Sequence, residues 1–200
     1  MKKIMFNDRY GLTQAVLEGL KTMTRRILEV PIKDFNSVRI ALLSEENKEV
    51  NKMAIIKKYA KYQVGDEVAV VQAYEDVYHD ADFEMVDNEF MTESAGWNNK
   101  MFVRADLMPH RIRITDVKVE RLQDISDDDC MKEGIYTRAA LHSLHVNGYA
   151  YTFDNWSDRG IAMGSDTAKG AFASLIDKIS GKGTWERNPW VYAYEFEIIK

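Results

Sequence analysis

The sequence predicts an α+β protein built on a small, partly antiparallel barrel with flanking helices and long insertions. Three observations carry this expectation. Strand-like segments occupy both ends of the chain, and helical periodicity lies between them without regular strand–helix–strand alternation. The longest strand-like segment, Arg111–Arg121, places Ile112 and Ile114 on one parity but Val117 and Val119 on the other. A side-chain period of two cannot put both pairs on one face, so a bulge or tight corner is expected near Thr115-Asp116, as where small barrels turn.

Taken in order, Lys3–Phe6 reads as a short strand, and Asn7, Asp8 and Gly11 as a turn. Leu12, Ala15 and Val16 follow the 3.6 period of a short helix stopped by Gly19, a residue suited to a left-handed cap. Lys21–Ile27 is β-branched enough to open a strand, though unusually basic. Glu45–Lys61 reads as an amphipathic helix with Val50, Met53, Ile56 and Ala60 on one side. Tyr62–Glu67 forms a turn feeding a strand over Val68–Tyr74. Asp76–Ser94 is acidic and aperiodic, most simply a solvated loop, and Gly96–Asn99 is a turn before a short strand around Met101–Ala105. Ser126–Gly134 fits a short helix with Ser126 as N-cap and Asp127–Asp129 in the first turn, where the helix dipole favours anions. Tyr136–Thr167, rich in Gly, Asn, Asp and aromatics, reads as a long insertion. Phe172, Leu175, Ile176 and Ile179 give a second helix over Asp166–Ile179, and Trp190–Ile198 alternates as a final strand.

Composition bounds the function. The 200 residues hold 27 Lys plus Arg against 32 Asp plus Glu, a formal net charge of −5, with 46% hydrophobic and 30% charged residues. These are ordinary proportions for a globular chain, and one domain over 1–200 with insertions at about 76–94 and 136–167 is expected. Cys130 alone cannot build a disulfide framework. No apolar run nears the roughly 18 residues that span a bilayer, and the opening Met1–Asp8 is too short and too soon acidic for a signal peptide. A cytoplasmic setting with no membrane partner is therefore expected. The acidic balance argues against coating duplex nucleic acid through a broad basic field, but leaves room for one local cationic site.

Such a site is suggested by Glu18-Gly19-Leu20-Lys21-Thr22-Met23-Thr24-Arg25-Arg26, which gathers a turn, a lysine, two threonines and two arginines. A turn of this kind can aim cationic donors and backbone N–H groups at an anion or a base edge. The plainer alternative is a solvated strand start that happens to be basic. Gly19-Leu20-Lys21-Thr22-Met23-Thr24 resembles the Gly-x-Lys-x-x-(Thr/Glu) signature of ASCH domains. Tyr62-x-Val64-Gly65-Asp66, Leu122–Ser126 leading to Lys132-Glu133-Gly134-Ile135, and Asn188-Pro189-Trp190-Val191 follow in matching order. Together they look like the larger ASCH-type proteins of phages and prophage regions. The resemblance implies a PUA-like barrel, and the two long loops are not covered by it.

Compact bacterial members of that family hydrolyse the amide of N4-acetylcytidine. The resemblance would put the catalytic Lys, Thr and Glu on Lys21, Thr24 and Glu133. A lysine of depressed pKa can take the proton of a threonine nucleophile, and a carboxylic acid opposite can protonate the departing amine. On a regular strand residues 21 and 24 point to opposite faces, so this dyad requires a turn or bulge between them. For Glu133 the plain alternative is a solvated carboxylate at a helix end. Where many phage-type relatives carry Trp-Val-Arg-Glu, this chain has Ala69-Val70-Val71-Gln72, so any role of that Arg and Glu is lost or moved, onto Arg25, Arg26 or Glu75.

The leading expectation is thus a pocket for RNA, a nucleotide or a modified nucleoside, bound by Gly19, Lys21, Thr22, Arg25 and Arg26. Trp156 and Trp185, in polar surroundings, are the stacking candidates. An amidohydrolase acting through Lys21, Thr24 and Glu133 is the second reading, and a protein-interaction module using the Tyr136–Thr167 insertion the third. No cofactor is expected. His142-x-x-His145 has helical ligand spacing but no third ligand nearby, which favours ordinary packed or surface histidines. Cys130, beside Asp127, Asp128 and Asp129, reads as a packing residue, since neighbouring acids oppose thiolate formation.

Overall fold

Chain order follows the turn residues closely. The computed structural model describes residues 1–78, 84–137, 150–153 and 164–199. Strand β1 (Lys2–Ile4), helix α1 (Leu12–Leu17) and strand β2 (Met23–Ile27) open the chain. A helical hairpin, α2 (Phe35–Leu43) and α3 (Lys48–Tyr59), leads to β3 (Glu67–Val70) and the single turn α4 (Tyr74–Val77). A small ribbon, β4 (Met85–Val86) with β5 (Glu89–Phe90), precedes the long strand β6 (Arg111–Arg121) and helix α5 (Asp127–Lys132). Three short strands, β7 (Tyr136–Thr137), β8 (Tyr151–Thr152) and β9 (Gly164–Ser165), form a sheet of their own. Helices α6 (Ala168–Ser180) and α7 (Thr184–Arg187) and the strand β10 (Trp190–Ile199) complete the chain.

The α+β class holds. The main sheet has the order β1-β3-β6-β10-β2, with only the β1–β3 pair parallel. A closed barrel is not formed among the described residues: β1 is paired over three residues and ends at Ile4, so no ladder joins it to β2. The two edges meet through a side chain instead, the Arg26 guanidinium donating to the Met5 carbonyl at 2.6 Å. The parity flaw in β6 is a bulge. Glu195 pairs with Asp116 and Phe196 with Ile114, which leaves Thr115 unopposed and turns Ile112, Ile114, Val117 and Val119 to buried positions.

Central strand β10 collects the core. Val191, Tyr192, Tyr194 and Phe196 are buried with Ile4, Phe6, Val68 and Val70, and α6 covers them with Phe172, Leu175 and Ile176. The Ser126 cap matches the sequence signal, its Oγ accepting from Asp129 N–H at 3.0 Å, and α6 is capped by Thr167, whose Oγ1 accepts from Gly170 N–H at 3.1 Å, so that helix starts after Asp166.

Four expectations need correction. Helix α3 turns Ile55 inward with Ile56 and Ala60 of the expected stripe packed beside it, while Val50 and Met53 are 65% and 70% exposed. Its inner side is set by Asn51, whose amide donates to the Ala41 carbonyl of α2 at 3.1 Å, and by the half-buried stems of Lys48 and Lys52, which cover apolar surface as methylenes do. The stretch around Met101–Ala105 is not a strand, because its Met101 and Val103 carbonyls are taken by Lys3 Nζ at 3.0 and 2.8 Å. The strand expected over Val68–Tyr74 stops at Val70, and Tyr74 begins α4. The acidic excursion is not merely solvated: Val86 and Met91 are buried in a second apolar cluster with Val71, Tyr74 and Met108. Helix α2 was not legible from the periodicity of its segment, since Phe35, Ile40 and Leu43 are exposed.

Candidate functional site

Lys21 enters the site because α1 ends sharply. Gly19 takes φ = +73°, a left-handed conformation that costs a glycine little, and the Leu20 and Lys21 N–H groups both return to the Ala15 carbonyl, at 2.8 and 2.9 Å. Lys21 therefore precedes β2 instead of belonging to it, but the turn lies before Lys21, and no turn falls between residues 21 and 24. Thr22 ties this turn to its neighbours, its N–H donating to the Lys132 carbonyl and its carbonyl accepting from Phe196 N–H, both at 2.9 Å. Glu133 comes from the C-cap of α5, followed by Gly134 at φ = +94°, a left-handed turn that glycine adopts readily and that packs beside the Lys21 stem.

These two turns bring opposite charges together inside the protein. Lys21 is 2% exposed and Glu133 4%. Lys21 Nζ donates to Glu133 Oε2 and to the Glu133 carbonyl, each at 2.7 Å. Arg25 Nη1 donates to the other carboxylate oxygen, Oε1, at 3.1 Å. The rest of that guanidinium is occupied by Glu120 Oε1, at 2.9 Å from Nε and 2.6 Å from Nη2, and by Asp129 Oδ2 at 3.0 Å. Arg25 and Ala193 pair in register, so a methyl lies on the strand that the long Arg25 side chain crosses to reach Glu120 on β6. Burial lowers the Lys21 pKa from its ordinary value, opposed in part by the Glu133 carboxylate and aided by Arg26 and Arg25. The Arg25 pKa is raised: burial works against the charged form, but Glu133, Glu120 and Asp129 together outweigh it.

Thr24 pairs in register with Tyr194, and Arg26 with Tyr192, so this parity of β2 faces the tyrosines of β10. Both residues line a cleft of about 1080 Å³ shared with Lys21, Arg25 and Glu133 and walled by Phe6, Tyr62, Tyr192 and Tyr194. The Phe6 ring lies under two cations, 5.9 Å from Lys21 Nζ and 5.8 Å from the Arg26 guanidinium carbon. Among the described residues, the Thr24 hydroxyl makes no hydrogen bond and both acceptors of Lys21 belong to Glu133, so the Lys–Thr contact needed for nucleophile activation is not made in this state. The Tyr192 hydroxyl is buried with no partner among the described residues, although its wall faces the cleft.

The sequence thus foresaw Lys21, Thr24, Arg25, Arg26 and Glu133 in one place. It missed the tyrosine wall and the two carboxylates on Arg25. The alternation of Tyr192 and Tyr194 with Arg26 and Thr24 across a ladder was the available signal, but it needs the strand pairing to be read. Other candidates fall elsewhere. Gly19 and Thr22 shape the turn without lining the cleft, and Trp185 packs edge-on against Phe172, centroids 6.1 Å apart, also away from it. Trp156, His142 and His145 lie outside the described residues. No grouping of metal-ligating side chains occurs among the described residues. Cys130 is fully buried, and burial together with Asp127 and Glu133 pushes its thiol pKa up to about 12. Glu75 is exposed and does not line the cleft, and Gln72 Oε1 is a second buried oxygen with no partner among the described residues. No described helix is long and apolar enough to cross a membrane.

No family model matches the chain, and no curated protein matches it. Among solved structures, a crystal structure of the DUF984-family protein EF3133 from Enterococcus faecalis V583 aligns at 12% identity with a TM-score of 0.36. The alignment covers 94% of this chain and 66% of that protein, just under two thirds of its length.

Proposed function

We propose that the cleft binds an unstacked base of RNA, a nucleotide or a modified nucleoside. One observation carries this reading: a fully buried lysine, ion-paired to a buried glutamate, is built into the wall of an aromatic-lined cleft. Burying such a pair costs more desolvation than its attraction returns unless its geometry is excellent, so for stability alone apolar residues would serve as well. Perturbed ionisable groups in a cleft are the usual mark of a site. The aromatic walls supply stacking faces, and the Tyr192 and Thr24 hydroxyls supply uncommitted hydrogen-bonding groups for a base edge. Titration calorimetry with adenosine, guanosine, uridine, cytidine and N4-acetylcytidine tests it. Saturable binding that Lys21→Ala weakens at least tenfold is expected, and no binding of any probe rejects the reading.

A second reading, hydrolysis of an N4-acylated cytidine, is favoured by the lowered pKa of Lys21 and the unengaged Thr24 hydroxyl in the same cleft. Lys21 would have to pass its proton to Glu133, take the Thr24 proton as the Thr24 oxygen attacks the acyl carbon, and let the amine leave with the proton that Glu133 received. Water would then free the acyl group from Thr24. Release of cytidine from N4-acetylcytidine, abolished in Lys21→Ala, Thr24→Ala and Glu133→Ala alike, is the corresponding assay. Binding without turnover selects the first reading.

A further inference from the structure

We propose that the mouth of the cleft is a phosphate subsite, so that the ligand is a phosphorylated nucleotide or a strand segment rather than a free nucleoside. The inference rests on the base-binding reading above and adds a ligand class to it. Its basis is the uneven charge of the cleft. In a protein of formal charge −5, the cleft is lined by seven Lys and Arg side chains and only three carboxylates.

The two ends of that lining differ. The deep cations are spent: Lys21 is held by Glu133, and Arg25 by Glu133, Glu120 and Asp129. Lys100 is held by Asp8. Lys3, Arg9, Arg26 and Lys61 remain, and none of them pairs with a carboxylate among the described residues. Glu29, the remaining lining carboxylate, is exposed and bridges to none of them. Lys3 is committed to two backbone carbonyls, which leaves Arg9, Arg26 and Lys61 as donors with spare N–H groups.

Arg26 and Lys61 lie against rings of the cleft wall, 5.8 Å from Phe6 and 5.3 Å from Tyr62, and Arg9 lies 5.8 Å from Tyr10, a buried ring outside the cleft lining. Rings hold a cation in place without neutralising it, so its charge stays available to an incoming anion. Cations interleaved with aromatic faces are how single strands are bound, the rings taking bases and the cations taking phosphates. The arrangement orders the cleft, with a charge-balanced interior for a neutral base and an unbalanced cationic rim for the phosphate attached to it. A free nucleoside would leave the rim without a partner.

The test compares cytidine, cytidine 5′-monophosphate and a cytidine hexanucleotide without a terminal phosphate, for wild type and Arg9→Ala/Lys61→Ala. Both substituted side chains are exposed, so the variant folds, which circular dichroism verifies. The expected wild-type result is that at least one phosphorylated probe binds about tenfold tighter than cytidine, the monophosphate marking a terminal monoester site and the hexanucleotide an internal diester site. In the double variant that ratio falls toward one. For the hexanucleotide, the slope of log affinity against log salt falls by about 1.4, the share of two phosphate contacts on a single strand. Lys57→Ala, exposed on α3 outside the cleft, leaves the ratio as it is. Equal affinity for cytidine and both phosphorylated probes overturns the phosphate subsite while the base site stands. A ratio that survives in the double variant also overturns it, by placing the phosphate elsewhere. Binding of none of the probes removes the base site itself.

Discussion

Removing the Glu133 carboxylate is the most informative perturbation of the buried cluster. Glu133→Gln keeps the shape but leaves Lys21, 2% exposed, with no anion among the described residues, where its charged acceptor is Glu133 alone. Arg25 loses less because Glu120 and Asp129 still hold it. Stripping one partner from a buried pair costs about 3–5 kcal/mol. The loss has a ceiling, because Lys21 can shed its proton. From an unfolded pKa near 10.4, neutralising it at pH 7 costs about 4.6 kcal/mol, at about 1.36 kcal/mol per pH unit. A lysine whose folded pKa lies below its unfolded value destabilises at low pH. The unfolded chain binds more protons across that window, so stability rises as pH climbs toward 10.5. The cost of Glu133→Gln should therefore be about 3–5 kcal/mol at pH 7 and about 2 kcal/mol by pH 9. Lys21→Met serves as the comparator: it leaves Glu133 paired to Arg25 Nη1 at 3.1 Å and should cost within about 1 kcal/mol. Urea unfolding followed by tryptophan fluorescence at both pH values measures all of this. Equal, pH-independent losses for the two variants would refute the idea that Glu133 compensates a buried charge.

Three other outcomes follow from single residues. Gly96→Ala would place a methyl 2.5 Å from the Tyr74 ring, which is fully buried and whose hydroxyl accepts from Arg104 N–H at 2.9 Å, so a loss of about 1–3 kcal/mol is expected in the same unfolding assay. Tyr192→Phe removes a buried hydroxyl that has no partner; stability should rise by up to about 1 kcal/mol while affinity for the bound base falls, and a drop in both would show that the hydroxyl is satisfied in the free protein. Cys130, with its pKa pushed up to about 12, should react with a thiol reagent at pH 8 only as fast as the protein unfolds, and rapid labelling of the folded protein would contradict its burial.

Local rules were legible where one segment decides the outcome. The Ser126 cap, the α6 stripe and the Thr115 bulge each follow from spacing within a few residues, and the structure has all three. The turn at Gly19 is there too, but it ends before Lys21 and puts no turn between Lys21 and Thr24. What depends on partners was not legible. Helix α3 buries only the Ile56 and Ala60 end of its apolar stripe, and Asn51 reaches across to α2 while Val50 and Met53 stay exposed. Barrel closure depends on whether β1 is long enough to ladder with β2, which no pattern in Lys2–Ile4 reveals. In the site, the basic run Lys21–Arg26 looked like a free cationic patch. The fold spends Lys21 and Arg25 on Glu133, Glu120 and Asp129, whose positions lie about a hundred residues downstream, and leaves the free charge at the rim.

The central claim is that the cleft between β2, β10 and the end of α5 holds a base. Backbone amide chemical-shift mapping during titration with cytidine 5′-monophosphate tests it most directly. Shifts concentrated on Thr24, Arg26, Gly134, Tyr192 and Tyr194, absent in Lys21→Ala, are the predicted result. An unperturbed cleft, or shifts confined to the exposed apolar faces of α2 and α3, would contradict it.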